Sequence, residues 1–265
     1  MHRPQVLHIG FSKCASTYLR ALFRSHPGIC LVFKSGFFTP FLSGDMTFAE
    51  YQSLFGNRSE LVTVESDEHL TLPGIHPELG VRTTNIAEFA GVADRIRTFL
   101  PDVRIILIIR NQASLIASRY SEFLIRGGSL AFDEFASRLM GDPGQPNVHY
   151  QNYYARILEL LQERLPRPNL LVLLQEDMRR NTTEATGLIA RFMGLDGGLA
   201  LKHGLRTERR SLSVAGASLL RRFNRHIVRR PSLGDARPDT RVPYFIFRNA
   251  VRLVRAIDYF CLSRN

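Results

Sequence analysis

The sequence predicts a three-layer α/β/α protein built on a central parallel sheet. Three observations lead there. Short apolar runs of strand length alternate with longer runs of helical period, the pattern of parallel strands joined by right-handed crossover helices. The first such unit, "VLHIGFSKCASTYLRALF" at residues 6–23, sets an apolar run, a small-residue turn and an amphipathic run back to back. The run "VRIILIIRN" at 103–111 is a continuous branched stretch, suited to a strand covered on both faces at the sheet centre. With 265 residues, 45% of them hydrophobic, the chain can bury a substantial core.

In chain order, Val6, Leu7 and Ile9 make the first strand, Gly10 allows a tight exit, and Ser16 or Thr17 starts a helix carrying Leu19, Leu22 and Phe23. "HPGI" reads as a turn and "ICLVF" as the second strand, followed by an irregular loop, "KSGFFTPFLSG". "FAEYQSLF" has helical spacing, "ELVTV" at 60–64 reads as the third strand, and "ESDEHLTLPGIHPELG" as another loop. A helix over 84–100 precedes the central strand, which Pro101 and Asn111 bound. The next helix carries Ile116, Tyr120, Phe123 and Leu124 and stops at Gly127-Gly128. "FDEFASRLM" and "YYARILELLQERL" are helical, "NLLVLLQ" is a further buried strand, and "TEATGLIARFMGL" is helical. The clearest composition shift falls near Lys202. Residues 1–201 therefore read as the α/β core, and 202–265 as a basic helical region packed on it or extending it. Helices are expected there over 215–230 and 244–262, joined by the proline-rich "RPSLGDARPDTRVP".

Charge is unevenly placed. The chain carries a formal +11, yet residues 1–201 hold 20 basic and 20 acidic residues against 15 and 4 in residues 202–265. Arginine supplies nearly all of it, since Lys13, Lys34 and Lys202 are the only lysines. Cys14, Cys30 and Cys261 form no C-x-x-C or His/Cys cluster, so reduced thiols and no metal site are expected. No run reaches the 18 or more apolar residues of a membrane span, and "MHRPQVLHIG" lacks the apolar segment of a signal peptide. The expected location is the cytoplasm.

Two junctions carry the chemistry. The first amides of a helix lack intrahelical partners and sit at the positive end of its dipole, so an anion over residues 13–17 would meet N–H groups, two hydroxyls and an ammonium. In an open parallel sheet, ligands bind beyond the carboxyl ends of the strands. "IILIIRNQASLIASRYSEF" puts Arg110 at such an end, with Ser114 and Ser118 in the helix after it.

Together these junctions resemble the sulfotransferases that use 3′-phosphoadenosine 5′-phosphosulfate. In that family a P-K-[ST]-G-T-T loop after the first strand binds the 5′-phosphosulfate, and "FSKCASTYL" is similar to it, with Lys13, Ser16 and Thr17 aligned. The family's later R-[ND]-P-x-x-x-x-x-S-x-Y pattern binds the 3′-phosphate, and "RNQASLIASRY" supplies Arg110, Asn111, Ser118 and Tyr120. The resemblance spans about the first two-thirds of the chain. It implies a P-loop-like nucleotide-binding fold, with donor contacts from Lys13, Cys14, Ala15, Ser16, Thr17, Tyr18, Arg110 and Ser118. "SDEHL", "RGG" and "RRSLS" further resemble a bacterial branch that sulfates surface glycans or related cell-envelope molecules. Cys14-Ala15 stands where the family has a small residue and glycine, and Gln112 stands for proline. The late Arg-Lys-Gly signature is missing, and Arg210-Ser211 substitutes for it in this reading.

The resemblance implies transfer of a sulfuryl group from this donor, leaving adenosine 3′,5′-bisphosphate, to a hydroxyl or amine of a sugar or glycolipid. Lys13 would neutralise the departing oxygen, and no metal would be needed. The chain has no Walker-type "GK[ST]", and Arg110 ends the strand where an NTPase of this plan would often carry an Asp for magnesium. The cluster Glu65, Asp67, Glu68 and His69 follows the third strand at the same sheet edge and supplies a general base, Glu68 first and His69 second.

Two other readings compete. Cys14 and Arg20 satisfy the C-x-x-x-x-x-R spacing of the cysteine phosphatases, but "ASTYL" has no glycine and two bulky residues for a loop that must wrap an oxyanion. A non-catalytic anion binder would dock on membrane or nucleic acid through the basic C-terminal quarter, where Arg248, Arg252 and Arg255 recur at i, i+4 and i+7 beside apolar residues. Nucleic acid is not expected, because no recognised motif or aromatic platform accompanies the charge. Peripheral contact with the inner face of a membrane is compatible with the enzyme reading.

Overall fold

The computed structural model describes residues 5–33, 46–53, 61–67, 70, 71, 74, 75, 79, 82, 83, 86–140, 154–195, 199, 211–231 and 237–259. The elements run β1 (Val6–Gly10), α1 (Ser16–Ser25), β2 (Ile29–Phe33), α2 (Phe48–Ser53), β3 (Val62–Asp67), β4 (Gly74–Ile75), β5 (Arg82–Thr83), α3 (Ile86–Phe99) and β6 (Arg104–Ile109). They continue with α4 (Gln112–Ile125), α5 (Phe132–Met140), α6 (Tyr154–Arg164), β7 (Leu170–Leu174), α7 (Gln175–Arg180) and α8 (Thr182–Met193). Last come α9 (Val214–Ile227), β8 (Val228–Arg230), β9 (Asp239–Thr240) and α10 (Tyr244–Ile257). The chain divides into two compact units, the first made of Met1–Pro73, Thr84–Asn111 and Tyr153–Thr207, the second of Gly74–Thr83, Gln112–Asn152 and Glu208–Asn265.

The first unit holds the main sheet, five strands in the order β2-β3-β1-β6-β7, parallel throughout and flanked by helices. Every residue of β1 is buried, and Ile105, Ile106, Leu107 and Ile108 of β6 are fully enclosed. This is why both read as continuous apolar runs rather than alternating ones. The middle strand is β1, with β6 beside it, so the "IILII" run is interior without being central. From β1 the chain crosses to β2 on one side, and from β6 it runs on to β7 on the other. The carboxyl ends of β1 and β6 thus form the switch point at which open parallel sheets bind ligands.

Three expected boundaries shift. The third strand runs to Asp67 rather than stopping at Val64, and Glu65 pairs in register with Leu7 on one side and Val32 on the other. Glu65 is therefore a buried strand residue, not a loop acid. The segment after it contains the short antiparallel pair β4 and β5. The helix expected over 215–230 ends at Ile227, because Val228 turns extended and pairs with Thr240. Pro231 reinforces this by disfavouring helix in the residue before it.

The second unit packs α4, α5, α9 and α10 around Tyr120, Phe123, Leu124, Phe135, Leu220 and Phe247. Helix α4 ends as its two glycines dictate: Gly127 takes φ 97°, its N–H donates to the Leu124 carbonyl and that of Gly128 to the Phe123 carbonyl. Fully buried Asn224 of α9 donates from Nδ2 to the carbonyls of Leu124 and Gly128, each at 2.7 Å. One polar side chain thereby supplies donors to two carbonyls at a buried helix end.

Candidate functional site

The turn between β1 and α1 is built from non-glycine residues in unusual conformations. Lys13 has φ 72° and Ala15 φ 60°, on either side of Cys14. Left-handed backbone costs an L-residue roughly 1–2 kcal/mol, and such strain concentrates where a loop must present something. Alternation of this kind turns successive N–H groups into one concavity, an anion nest. Ala15 occupies the cap position of α1 and makes no side-chain cap, and Ser16, one of the two expected starts, is the first helical residue. The positive end of α1 thus opens without a carboxylate or hydroxyl of its own on the cap.

Buried side chains hold this loop from below. Cys14 is 1% exposed and its N–H donates to the Phe11 carbonyl at 3.2 Å. The ring of Tyr154, at the start of α6, meets Phe11 edge to face at 4.7 Å. Burial pushes the Tyr154 hydroxyl far above its ordinary pKa, helped by Cys14 and Glu176. Tyr154 is a site residue that sequence reading passed over; its only signal was an aromatic pair opening an amphipathic run. Among the other loop residues, Ser16 is buried and accepts from Arg20 Nη2 at 3.5 Å, Thr17 is exposed, and the Tyr18 hydroxyl is enclosed, which raises its pKa.

The two junctions expected at one sheet edge do meet. Arg110, one residue beyond β6, donates from Nη1 to the Lys13 carbonyl at 3.2 Å. This hydrogen bond fixes the left-handed residue from across the switch point and uses only part of the guanidinium's five-donor fork. Burial holds Arg110 below its ordinary pKa, an effect that Cys14 and Glu176 oppose and Arg179 strengthens. It stays cationic regardless. The Asn111 N–H donates to Glu176 Oε1 at 3.2 Å, tying the end of β6 to α7.

Asp67 lies at the end of β3, in register with Ile9, and Thr71 Oγ1 donates to the Gly10 carbonyl at 2.6 Å. The chain on both sides of Glu68 and His69 is thus tied to the end of β1. Glu68, His69 and Arg210 themselves lie outside the described residues. Ser118 and Ser211 belong to the second unit. Ser118 is buried on α4, one turn before Ser121, whose Oγ accepts from the Leu212 N–H at 3.0 Å. Ser211 is therefore held alongside the helix that carries Ser118. Tyr120, matched to the same motif, is a core residue, its hydroxyl donating to the Leu130 carbonyl at 2.9 Å.

The phosphatase geometry is not assembled. Cys14 is enclosed, and Arg20, 9% exposed, packs close enough to the buried His8 to depress its pKa further. A cleft lined by Gln162, Leu165, Arg167, Leu170 and Val172 lies by the start of β7, away from the carboxyl ends that carry the loop. Among the described residues, no group of three His, Cys, Asp or Glu side chains could hold a metal ion, and no helix is long and apolar enough to cross a membrane.

Residues 85–213 match the sulfotransferase domain family, a span that includes Arg110, Ser118 and Ser211 and leaves the Lys13 loop outside. No curated protein matches the chain by sequence. A sulfotransferase from Alicyclobacillus acidocaldarius superposes with TM-score 0.54 at 18% identity, covering 78% of this chain and 88% of that one, and shows the shared fold. The sulfotransferase domain of the Synechococcus PCC 7002 olefin synthase gives TM-score 0.49 at 11% identity, covering 94% of each chain. Mouse sulfotransferase SULT7A1, complexed with PAP, gives 0.45 at 13%, covering 72% of this chain and 58% of that one.

Proposed function

We propose that the chain is a sulfotransferase, transferring the sulfuryl group of 3′-phosphoadenosine 5′-phosphosulfate to a hydroxyl or amine of a glycan or glycolipid; the match of residues 85–213 to the sulfotransferase domain family supports this reading. The observation that carries this is the hydrogen bond from Arg110 to the Lys13 carbonyl, which joins the two basic junctions at the switch point. The alternating left-handed backbone and the α1 terminus fit a phosphate-sized anion. The amides of residues 14–18 receive the 5′-phosphate. Arg110, with donors left over, completes the anionic contacts.

The acceptor oxygen forms a bond to sulfur as the bond from sulfur to the bridging oxygen breaks. The acceptor's proton goes to Glu68, or to His69 if Glu68 is not in reach, and the electron pair goes to the bridging oxygen. Lys13 meets the charge that develops there. As in phosphoryl transfer, positioning and electrostatics supply most of the acceleration. The enzyme works in the cytoplasm, peripherally on the inner face of a membrane where lipid-linked sugars are presented.

Calorimetric titration with adenosine 3′,5′-bisphosphate tests the donor site, with ATP as the control ligand. Binding by the wild type, weakened at least tenfold in Lys13→Ala and Arg110→Ala and not shared by ATP, is the expected result. Absence of bisphosphate binding at moderate salt overturns the assignment of these residues.

A further inference from the structure

We propose that α10 is a membrane-docking helix that lies on an anionic lipid surface. This gives a surface to the membrane part of the reading above, and it rests on features separate from the donor site. One side of α10 is committed to the core, with Phe247, Val251 and Val254 buried. Just beyond the helix, buried Asp258 accepts from the Ser213 N–H at 3.2 and 3.1 Å to its two oxygens and from the Ser213 hydroxyl. The helix therefore has a fixed face, and what its other side shows to solvent is set by sequence.

That other side is not an ordinary solvated surface. Phe245 is 65% exposed, Leu253 61%, Ile246 44% and Ile257 37%. At about 100° per residue, Ile246, Leu253 and Ile257 share a strip roughly 40° wide. Arg248, Arg252 and Arg255, all exposed, form a second strip on the far side of Phe245. Single exposed apolar residues are normal on proteins, but four on one half of a fourteen-residue helix that carries no acid are not.

The pairing of strips selects the occupant. An apolar strip enters the boundary between headgroups and acyl chains, while neighbouring arginines reach lipid phosphates. Each arginine near an anionic surface strengthens binding by roughly fivefold. A second copy of the same face would bring like charges together, and a nucleic acid would leave Phe245 and Leu253 exposed.

The test is co-sedimentation of the full chain with vesicles of phosphatidylcholine alone or enriched in phosphatidylglycerol. Wild-type protein is expected to bind the anionic vesicles and scarcely the neutral ones. Replacing Arg248, Arg252 and Arg255 by Gln should lower anionic binding roughly 100-fold and remove most of its salt dependence. Phe245→Ser with Leu253→Ser should lower it roughly 10- to 100-fold. Bisphosphate binding unchanged in both variants shows that the fold and donor site are intact. Equal binding to both vesicle types, no binding to either, or no effect of the serine variant overturns the proposal. So does a wild-type dimer that the serine variant dissolves, which would assign the face to a second copy.

Discussion

The starts of α1 and α9 solve the same electrostatic problem in opposite ways. At α9, Ser213 accepts from the Gly216 N–H at 3.1 Å, and the carboxylate of Asp258 sits on Ser213. The protein supplies its own anion there, and Gly216 has no Cβ because one would collide with that carboxylate. At α1 the cap is Ala15, left-handed and without a side-chain oxygen. Both helices expose orphan amides at a positive dipole end; one is closed from within and the other is shaped for something from outside. Strain marks the second, since a polypeptide keeps Lys13 and Ala15 in left-handed backbone only when the surroundings hold them there.

The largest expected effect falls on the open end. Lys13→Ala should lower kcat by roughly 10²–10³, the usual cost of removing one preorganised charge stabiliser, in a steady-state sulfuryl-transfer assay. At the closed end, Asp258→Ala should cost about 2–3 kcal/mol of stability through lost charge-assisted hydrogen bonds, read from urea unfolding. A null result there would mean that water caps α9 equally well.

Acid should separate the two units. His8 in β1 is fully buried, its Nδ1 2.7 Å from Ser66 Oγ, and burial followed by Arg20 pushes its pKa down to about 3. The unfolded chain, with His8 near 6.5, binds the proton more readily. The stabilising preference is therefore present above pH 6.5 and lost as pH falls below it, by about 1–2 kcal/mol at pH 5.5. Hydrogen exchange should show the β1 unit loosening first, since Asn224, the central buried polar group of the other unit, does not titrate. His8→Asn should flatten that pH dependence.

Ala15 offers the smallest and sharpest comparison. Ala15→Asp puts a carboxylate where α9 has one, and should weaken bisphosphate binding roughly tenfold with little change in stability, because Asp tolerates left-handed backbone. Ala15→Gly should raise stability by about 1 kcal/mol by relieving the positive φ, measured by the shift in urea midpoint.

The order of strands and helices, the two basic junctions and the Gly127-Gly128 stop were all legible in the sequence, because each rests on local periodicity or on a backbone preference carried by one or two residues. Element boundaries were less so. Glu65 read as the first acid of a loop because a charge after "LVTV" normally ends a strand; pairing with β1 and β2 carries β3 past it. Val228 fits a helix by spacing, and only pairing with Thr240 turns the chain extended there. Nothing local placed Tyr154 under the loop, since the contact joins residues 143 positions apart between Phe11 and Tyr154.

What the sequence by itself determined was which residue types stand at which ends: Lys13 after β1, Arg110 after β6, acids around the end of β3, and an acid-free arginine helix near the C-terminus. What only the tertiary structure decided was how they are used. It put β1 and β6 side by side so that Arg110 meets the Lys13 carbonyl, and it held Lys13 and Ala15 in left-handed backbone that neither residue prefers. It also turned Phe247 rather than Phe245 into the core. Local preferences are written residue by residue, whereas adjacency, strain and exposure depend on what the rest of the chain brings alongside.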